Sequence, residues 1–291
     1  MNSLHLRAPA KVNLTLEVLG RRPDGYHEVR TVLQAIDLAD ELTLTPAADL
    51  RLEERPGPAA PPGENLVLRA ARLLREHTGG RDGAQITLDK RVPVAAGLGG
   101  GSSDAAAALL GLDRLWGLGL DVRELTRLAS RLGSDVPFFL RGGTALGMGS
   151  GDVIEPLPSL LACWVVLLVP PVQLAGKTAR LYGALTPGDY SDGSCTLKLV
   201  EYLYAGMLPS GDLLSNSFDR VAPRLLPELA RYWGVLLDAG APWVHLAGSG
   251  PGLFTLVPRE EEARSLERRL AGGGLRTYCC RTLGPQSAPS A

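Results

Sequence analysis

The chain is poor in cysteine, lysine and aromatic residues, and it has no long apolar run. Its four cysteines, Cys163, Cys195, Cys279 and Cys280, show none of the spacings of a zinc site. No disulfide framework is implied, and free thiols in a reducing compartment are expected. The adjacent pair Cys279-Cys280 reads as strand packing rather than redox chemistry. Four Trp, four Phe and seven Tyr, with a net charge of −1 and no basic run, give no compositional basis for nucleic-acid binding. The strongest apolar segment, residues 160–170, is about half the roughly 20 residues that span a bilayer, and reads as a buried strand. The first residues carry neither a signal-peptide apolar core nor an Arg-rich transit character, so a cytoplasmic protein is the expectation.

What is present is an ordinary globular balance: 45% hydrophobic and 21% charged residues over 291 positions, enough for two modest domains or one large one. Lysine occurs at only four places, Lys11, Lys90, Lys177 and Lys198, in a chain with 30 Lys and Arg together. Where arginine is so favoured, each retained lysine draws interest.

The stretch from Pro93 to Trp116 has the order loop, cap, helix. Gly97, Gly99, Gly100 and Gly101 are followed by Ser102 and Ser103, either of which is a candidate cap, and then by an Ala/Leu run of helical character. Each ordered glycine costs about 0.5 to 1 kcal/mol relative to alanine, so the cluster needs an offsetting role. Backbone N–H groups and a helix N-terminus that hold a phosphate would supply one. A flexible linker fits less well, because the loop joins an apolar run to a helix with Leu109, Leu112, Leu115 and Trp116 available for burial. The loop matches neither the dinucleotide fingerprint nor Walker A: the sixth position is Ser102 counted from Gly97 and Asp104 counted from Gly99, and no lysine precedes the serines.

Along the rest of the chain, residues 5–18 alternate as a strand, with Pro9 predicting a bend or an edge and Lys11 and Asn13 on one face. Residues 20–27 form a turn cluster around Pro23-Asp24-Gly25. Strands are expected over 29–36, 41–52 and 84–92, a loop over 55–63, and a helix over 65–77 capped by Asn65. A helix opens at Asp121 and runs through Leu132, and residues 154–158 look like a boundary. In the second half strands are predicted at 164–169, 253–257 and 276–282. Helices are predicted at 178–185, 197–205, 225–239 and 260–270, before a frayed tail from residue 285. Strands and helices are mixed without regular alternation, which favours α+β layers over a doubly wound sheet.

Phosphoryl transfer to an alcohol needs a phosphate cradle, a metal ion, a cation near the transferring group and a carboxylate for the hydroxyl proton. The loop, Lys11 and Asp135 are candidates; singly, Lys11 also fits a solvated lysine and Asp135 a turn-stabilising carboxylate.

Five blocks, Pro9-Ala10-Lys11-Val12-Asn13-Leu14, Arg22-Pro23-Asp24-Gly25-Tyr26-His27, the loop from Pro93 to Ala105, Gly133-Ser134-Asp135-Val136-Pro137-Phe138 and Gly248-Ser249-Gly250-Pro251, together resemble the GHMP kinases. The first two blocks resemble the branch that acts on a diphosphocytidyl substrate. The resemblance implies an α+β, two-domain GHMP kinase fold. Its N-terminal domain, over 1–155, would be ribosomal protein S5 domain 2-like and bind ATP; a ferredoxin-like α/β C-terminal domain would cover 156–285, and 286–291 would be a tail.

It also implies ATP-dependent phosphorylation of the 2-hydroxyl of 4-diphosphocytidyl-2-C-methyl-D-erythritol, in non-mevalonate isoprenoid biosynthesis. Asp135 would take or orient the hydroxyl proton, and Lys11 would neutralise charge at the transferred phosphate. Gly97, Leu98, Gly99, Gly100, Gly101, Ser102 and Ser103 would hold the ATP phosphates, with Ser103 near Mg²⁺. Asn65 and Lys90 would lie near adenine and ribose. Asn13, Tyr26, His27 and Tyr182 would bind substrate, Tyr26 by stacking on cytosine, His27 through its polar edge, and Tyr182 as a second aromatic clamp four residues after Thr178. Tyr182 fits a core tyrosine equally well. Ala95-Ala96 and Met148 depart from the family pattern. The alternatives are a GHMP kinase for homoserine or mevalonate, and a non-catalytic nucleotide-binding regulator on the same fold. The expected partner is that small molecule, with no nucleic acid or membrane, in a monomer or weak homodimer.

Overall fold

A computed structural model describes residues 3–57, 65–172, 175–271 and 274–285. The tail over 286–291 and most of the loop over 55–63 lie outside them. The chain folds into two compact units: Met1–Ala10, Leu38–Val94 and Gly99–Arg141 make the first, and Lys11–Asp37, Ala95–Leu98 and Gly142–Ala291 the second. Neither is continuous in sequence, because two long strands, β1 (Leu4–Arg21) and β2 (His27–Ala47), each contribute residues to both.

In the first unit the end of β2 pairs antiparallel with β4 (Gly83–Asp89), Glu41 opposite Asp89, and β3 (Leu50–Arg55) pairs parallel with β4. Helix α1 (Leu66–Thr78) starts where Asn65 Oδ1 accepts from the Val67 N–H at 2.8 Å, and it stops at a left-handed Gly79. Helix α2 (Gly100–Leu115) follows the glycine loop and buries Ala105, Ala106, Ala107, Ala108, Leu109 and Leu112. At Gly111 an added Cβ would lie 2.5 Å from Leu44 Cδ1 and 2.8 Å from Leu6 Cδ1, so the lack of a side chain lets the strands approach this helix closely. Helix α3 (Val122–Leu132) is capped by Asp121 as expected, and the short α4 (Val136–Phe139) completes the unit.

The strand boundaries here differ from the sequence reading for a physical reason. Residues 29–36 and 41–52 were expected as two strands, yet β2 runs unbroken to Ala47 and β3 begins at Leu50. Asp40, between the two expected segments, is fully buried inside β2 with its carboxylate held by partners described below. β1 continues through Pro9, which is buried within it and lies outside the Thr15–Leu16 stretch that pairs with β8, in keeping with the expected edge position.

The second unit adds the hairpin β5 (Thr144–Met148) and β6 (Val153–Pro156), with β5 also pairing the start of β2. Next come β7 (Trp164–Val169), α5 (Lys177–Gly183), α6 (Ser194–Tyr204) and β8 (Ser215–Asn216), which pairs parallel with β1. Helices α7 (Ala222–Leu225) and α8 (Leu229–Asp238) replace the single expected helix. Leu226, at φ −136° and ψ 73°, precedes Pro227, and proline disfavours helical backbone just before it. The chain ends with β9 (His245–Leu246), β10 (Leu253–Val257), α9 (Glu260–Ala271) and β11 (Arg276–Arg281).

In the sheet β11-β7-β10-β9 the central strand β7 buries Val165, Val166, Leu167 and Leu168, as its apolar run predicts. Cys279 and Cys280 face Val166 and Val165 across β11 and are free thiols. One mixed and one antiparallel sheet with unevenly interspersed helices make this an α+β protein. No helix among the described residues is long and apolar enough to cross a membrane.

Candidate active site

The first unit builds its constellation around the entry to α2. Asp40 on β2 reaches the segment after β4: its Oδ1 accepts from the N–H groups of Arg91, at 2.5 Å, and Val92, at 2.8 Å. Its Oδ2 accepts from Lys90 Nζ at 2.5 Å, and the same ammonium donates to Asp104 Oδ2 on α2 at 2.7 Å. Lys90 thus ties β2 and β4 to the first turns of α2. Burial works against the Lys90 ammonium, but the two carboxylates outweigh it and its pKa is raised. Burial pushes the Asp104 carboxyl up to about 7 despite Lys90, with Asp40 adding to the rise. Sequence reasoning missed Asp40 and Asp104; a carboxylate directly inside an Ala-rich helix was the available signal for Asp104.

The structure starts α2 before the serines expected to cap it. Gly99, at φ +71°, occupies the cap position, and the first turn has no side-chain cap. Gly100 lies against Val92, where a Cβ would stand 3.0 Å from Cγ1, whereas Gly101 has its nearest such neighbour at 3.8 Å, on Leu66. Ser102 and Ser103 lie in that turn. Ser103 Oγ and Asp104 Oδ1 are buried with no hydrogen-bond partner among the described residues. Buried oxygens without partners are expensive, and a hard cation or its water would satisfy them, so this turn fits Mg²⁺ held mainly by phosphate oxygens. Among the described residues no group of three or more His, Cys, Asp or Glu could hold a metal on its own. Asn65 and Asp135 belong to the same unit: Asn65 caps α1, and half-buried Asp135 precedes α4 without capping it.

In the second unit β1 carries Lys11 and Asn13 on one face, both buried. Lys11 Nζ donates to Asn13 Oδ1 at 2.7 Å, Asn13 Nδ2 donates to Thr31 Oγ1 at 2.8 Å, and Thr31 Oγ1 donates to the Thr15 carbonyl at 2.5 Å. The ammonium is therefore oriented by an amide that is itself oriented. The Lys11 N–H donates to the Leu98 carbonyl, and Gly252 N–H to that of Ala96, so residues 95–98 are laced to β1 and to the turn before β10. Asn216 Nδ2 holds that turn through the carbonyls of Leu246 and Gly248. At Gly248 a Cβ would stand 3.1 Å from Lys11 Nζ, so glycine there keeps the space beside the ammonium open.

The same unit gathers aromatic rings. His27 lies 4.9 Å from Tyr182, centroid to centroid, and Tyr182 packs edge-on against Phe218 at 5.0 Å. Both readings of Tyr182 thus have a structural basis: one side meets the core and another meets His27. Burial, then the charge of Arg21, holds the His27 imidazole below its usual pKa. Tyr26 is 65% exposed, in a turn where Asp24 Oδ1 accepts from its N–H.

The chain matches the GHMP kinases N terminal domain over residues 65–143 and the GHMP kinases C terminal domain over residues 203–274. It is 44% identical to a Dehalococcoides mccartyi protein named 4-diphosphocytidyl-2-C-methyl-D-erythritol kinase, over 97% of this chain and 99% of that one. A Pelotomaculum thermopropionicum protein of the same name is also 44% identical, over 96% and 98%. A crystal structure of 4-(cytidine 5'-diphospho)-2C-methyl-D-erythritol kinase superposes with a TM-score of 0.81 at 37% identity, covering 97% of this chain and all of the other. A homoserine kinase from Cytophaga hutchinsonii, 20% identical with a TM-score of 0.73 over 99% and 96%, shares the fold. The chain belongs to the GHMP kinases, with their two-domain fold, and within them to the family of these 4-diphosphocytidyl-2-C-methyl-D-erythritol kinases.

Proposed function

We propose that this chain transfers the γ-phosphoryl group of ATP to the 2-hydroxyl of 4-diphosphocytidyl-2-C-methyl-D-erythritol, giving the 2-phosphate, as a step of non-mevalonate isoprenoid biosynthesis. Similarity to kinases of that substrate over nearly the whole chain carries the assignment. In sequence terms residues 1–155 would carry most of the ATP-binding machinery and 156–285 the rest, with residues 11–37, 95–98 and 142–155 folding into the second compact unit, in a cytoplasmic monomer or weak homodimer.

Each residue's part follows from its chemistry. Gly97, Leu98 and Gly99 shape the approach to α2, whose first N–H groups, with Gly100, Gly101 and Ser102, bind the β- and γ-phosphates. Ser103 Oγ is the protein oxygen offered to Mg²⁺, which when bound neutralises charge on those phosphates. Asn65 and Lys90 border adenine and ribose, with Lys90 held rigid by its two carboxylates. Asp135 takes or orients the proton of the substrate hydroxyl. Lys11, fixed by Asn13, neutralises charge on the phosphoryl group in flight and favours the alkoxide. Tyr26 and Tyr182 clamp cytosine, while neutral His27 reads its polar edge.

The test offers ATP and Mg²⁺ with the cytidyl substrate, homoserine and mevalonate in parallel. Turnover confined to the cytidyl substrate is expected. Turnover on another alcohol would remove the cytosine assignments and keep a kinase. ATP binding without turnover on any of them would leave a nucleotide-binding regulator.

A further inference from the structure

Lys177 is one of only four lysines and takes no part in the chemistry above. It opens α5 directly after left-handed Gly176, and its Nζ donates to the Ala95 carbonyl at 2.7 Å. Ala95 has φ +58°, the one positive value at a non-glycine among the described residues, so a strained loop presents that carbonyl. The next residue, Thr178, shares a 3.0 Å hydrogen bond with Ser249 Oγ. Ser249 follows Gly248, the residue whose missing Cβ keeps space beside Lys11 Nζ. Ala95 in turn opens the 95–98 segment, whose Leu98 carbonyl accepts from the Lys11 N–H. Two separate connections therefore bring Lys177 to the region of Lys11, all inside the second unit.

Burial, and then the charge of Lys11, lower the Lys177 pKa to about 8. Its hydrogen-bond acceptor, the Ala95 carbonyl, carries no charge, and the neighbouring Thr178 and Ser249 hydroxyls bond each other. Two ammonium groups held together and partly desolvated are unfavourable, and a multiply charged anion joining them removes the penalty. Lysine suits this task in an arginine-rich chain, since it is a compact charge on a flexible stem whose protonation responds to its surroundings.

We propose that Lys177 is a second phosphate-binding cation beside Lys11, whose ammonium leaves the Ala95 carbonyl for an oxygen of the phosphoryl group being transferred. This role rests on the phosphoryl transfer proposed above.

The test has two arms on the full chain. An amine-reactive reagent at pH 8, followed by peptide mass spectrometry, compares Lys177 with exposed Lys198, alone, with ATP and Mg²⁺, and with the phosphorylated product. Lys177 is expected to react roughly tenfold or more faster than Lys198, through its larger neutral fraction, and to be protected about tenfold by ATP or product. In the second arm Lys177→Met lowers kcat/KM about 100-fold, and Lys177→Arg recovers part of the loss. Equal labelling with and without ligand, alongside an unimpaired Lys177→Met in an active parent chain, would overturn the cation role and leave the activity standing. A parent chain inactive on every alcohol, but with Lys177 protected by ATP, would overturn the activity and keep the phosphate site.

Discussion

Gly97 adopts φ +86°, and a Cβ at that position would lie 1.8 Å from the carbonyl oxygen of Ala247. Contact with the 247–250 turn, as well as any contact with phosphate, requires glycine there. Gly101 has no such constraint.

The two glycines therefore separate packing from ligand binding. Gly97→Ala forces the backbone apart and is expected to destabilise by about 3 kcal/mol or more in urea titrations. Gly101→Ala, in the first turn of α2, should be neutral or stabilising by up to about 1 kcal/mol. A raised KM for ATP in Gly101→Ala without loss of stability would assign that glycine to the phosphates, and an unchanged KM would remove it from them.

Asp40 is a structural anchor of the first unit. Asp40→Ala leaves two N–H groups without their acceptor and Lys90 with one carboxylate instead of two. A loss of about 3 to 5 kcal/mol is expected, measured by chemical denaturation. A loss below ~1 kcal/mol would mean that water replaces the carboxylate and the pairing matters little.

Much of this was legible in the sequence, and the limits have causes. The capped helices α1 and α3 and the apolar β7 followed from local chemistry, because cap, periodicity and burial agree there. The first turn of α2 did not: Ser102 and Ser103 are good caps by type, but Gly99 takes the left-handed position and starts the helix sooner. Lys11 and Asn13 were placed on one face by strand alternation alone, and their hydrogen bond bears that out. Asp40 was missed because its partners lie about 50 residues on, and a long-range pair leaves no local signature. The role of Gly97 was equally hidden, since Ala247 is far away in sequence.

Tyr26 and Tyr182 should part company when truncated. Tyr26 is largely exposed, so Tyr26→Ala is expected to raise KM for the cytidyl substrate by about 1 to 3 kcal/mol of lost stacking, with thermal stability unchanged. Tyr182 packs against Phe218, so Tyr182→Ala should lower Tm as well as affinity. A Tyr182→Ala protein with normal substrate KM would make it a core tyrosine only.

Lys177 also predicts a pH dependence of stability. Its pKa is lowered to about 8 from 10.5, so the folded chain binds fewer protons than the unfolded one between those values. Stability from this group therefore rises with pH across that window, and the penalty is full below pH ~8. Lys177→Met should be more stable than the parent at pH 7 by about 1 to 3 kcal/mol, with the difference shrinking towards pH 10.5. Denaturant titrations at both pH values measure it, and a gap that does not change with pH would discount the penalty of burial and of the Lys11 charge on this ammonium.

Asp135 decides between enzyme and regulator. A carboxylate that takes or orients the hydroxyl proton acts on turnover and leaves ground-state binding of ATP largely alone, because in the proposed function ATP binding falls to the glycine loop and the α2 N-terminus. Asp135→Asn keeps the side chain's size and removes its charge and basicity. A loss of about 10² to 10⁴ in kcat, with ATP affinity within a few-fold of the parent by calorimetry, is the expected outcome. Equal losses in affinity and kcat would point to a structural role before α4. An unaltered kcat would take the hydroxyl proton away from Asp135 and leave the alkoxide to form through Lys11 and solvent.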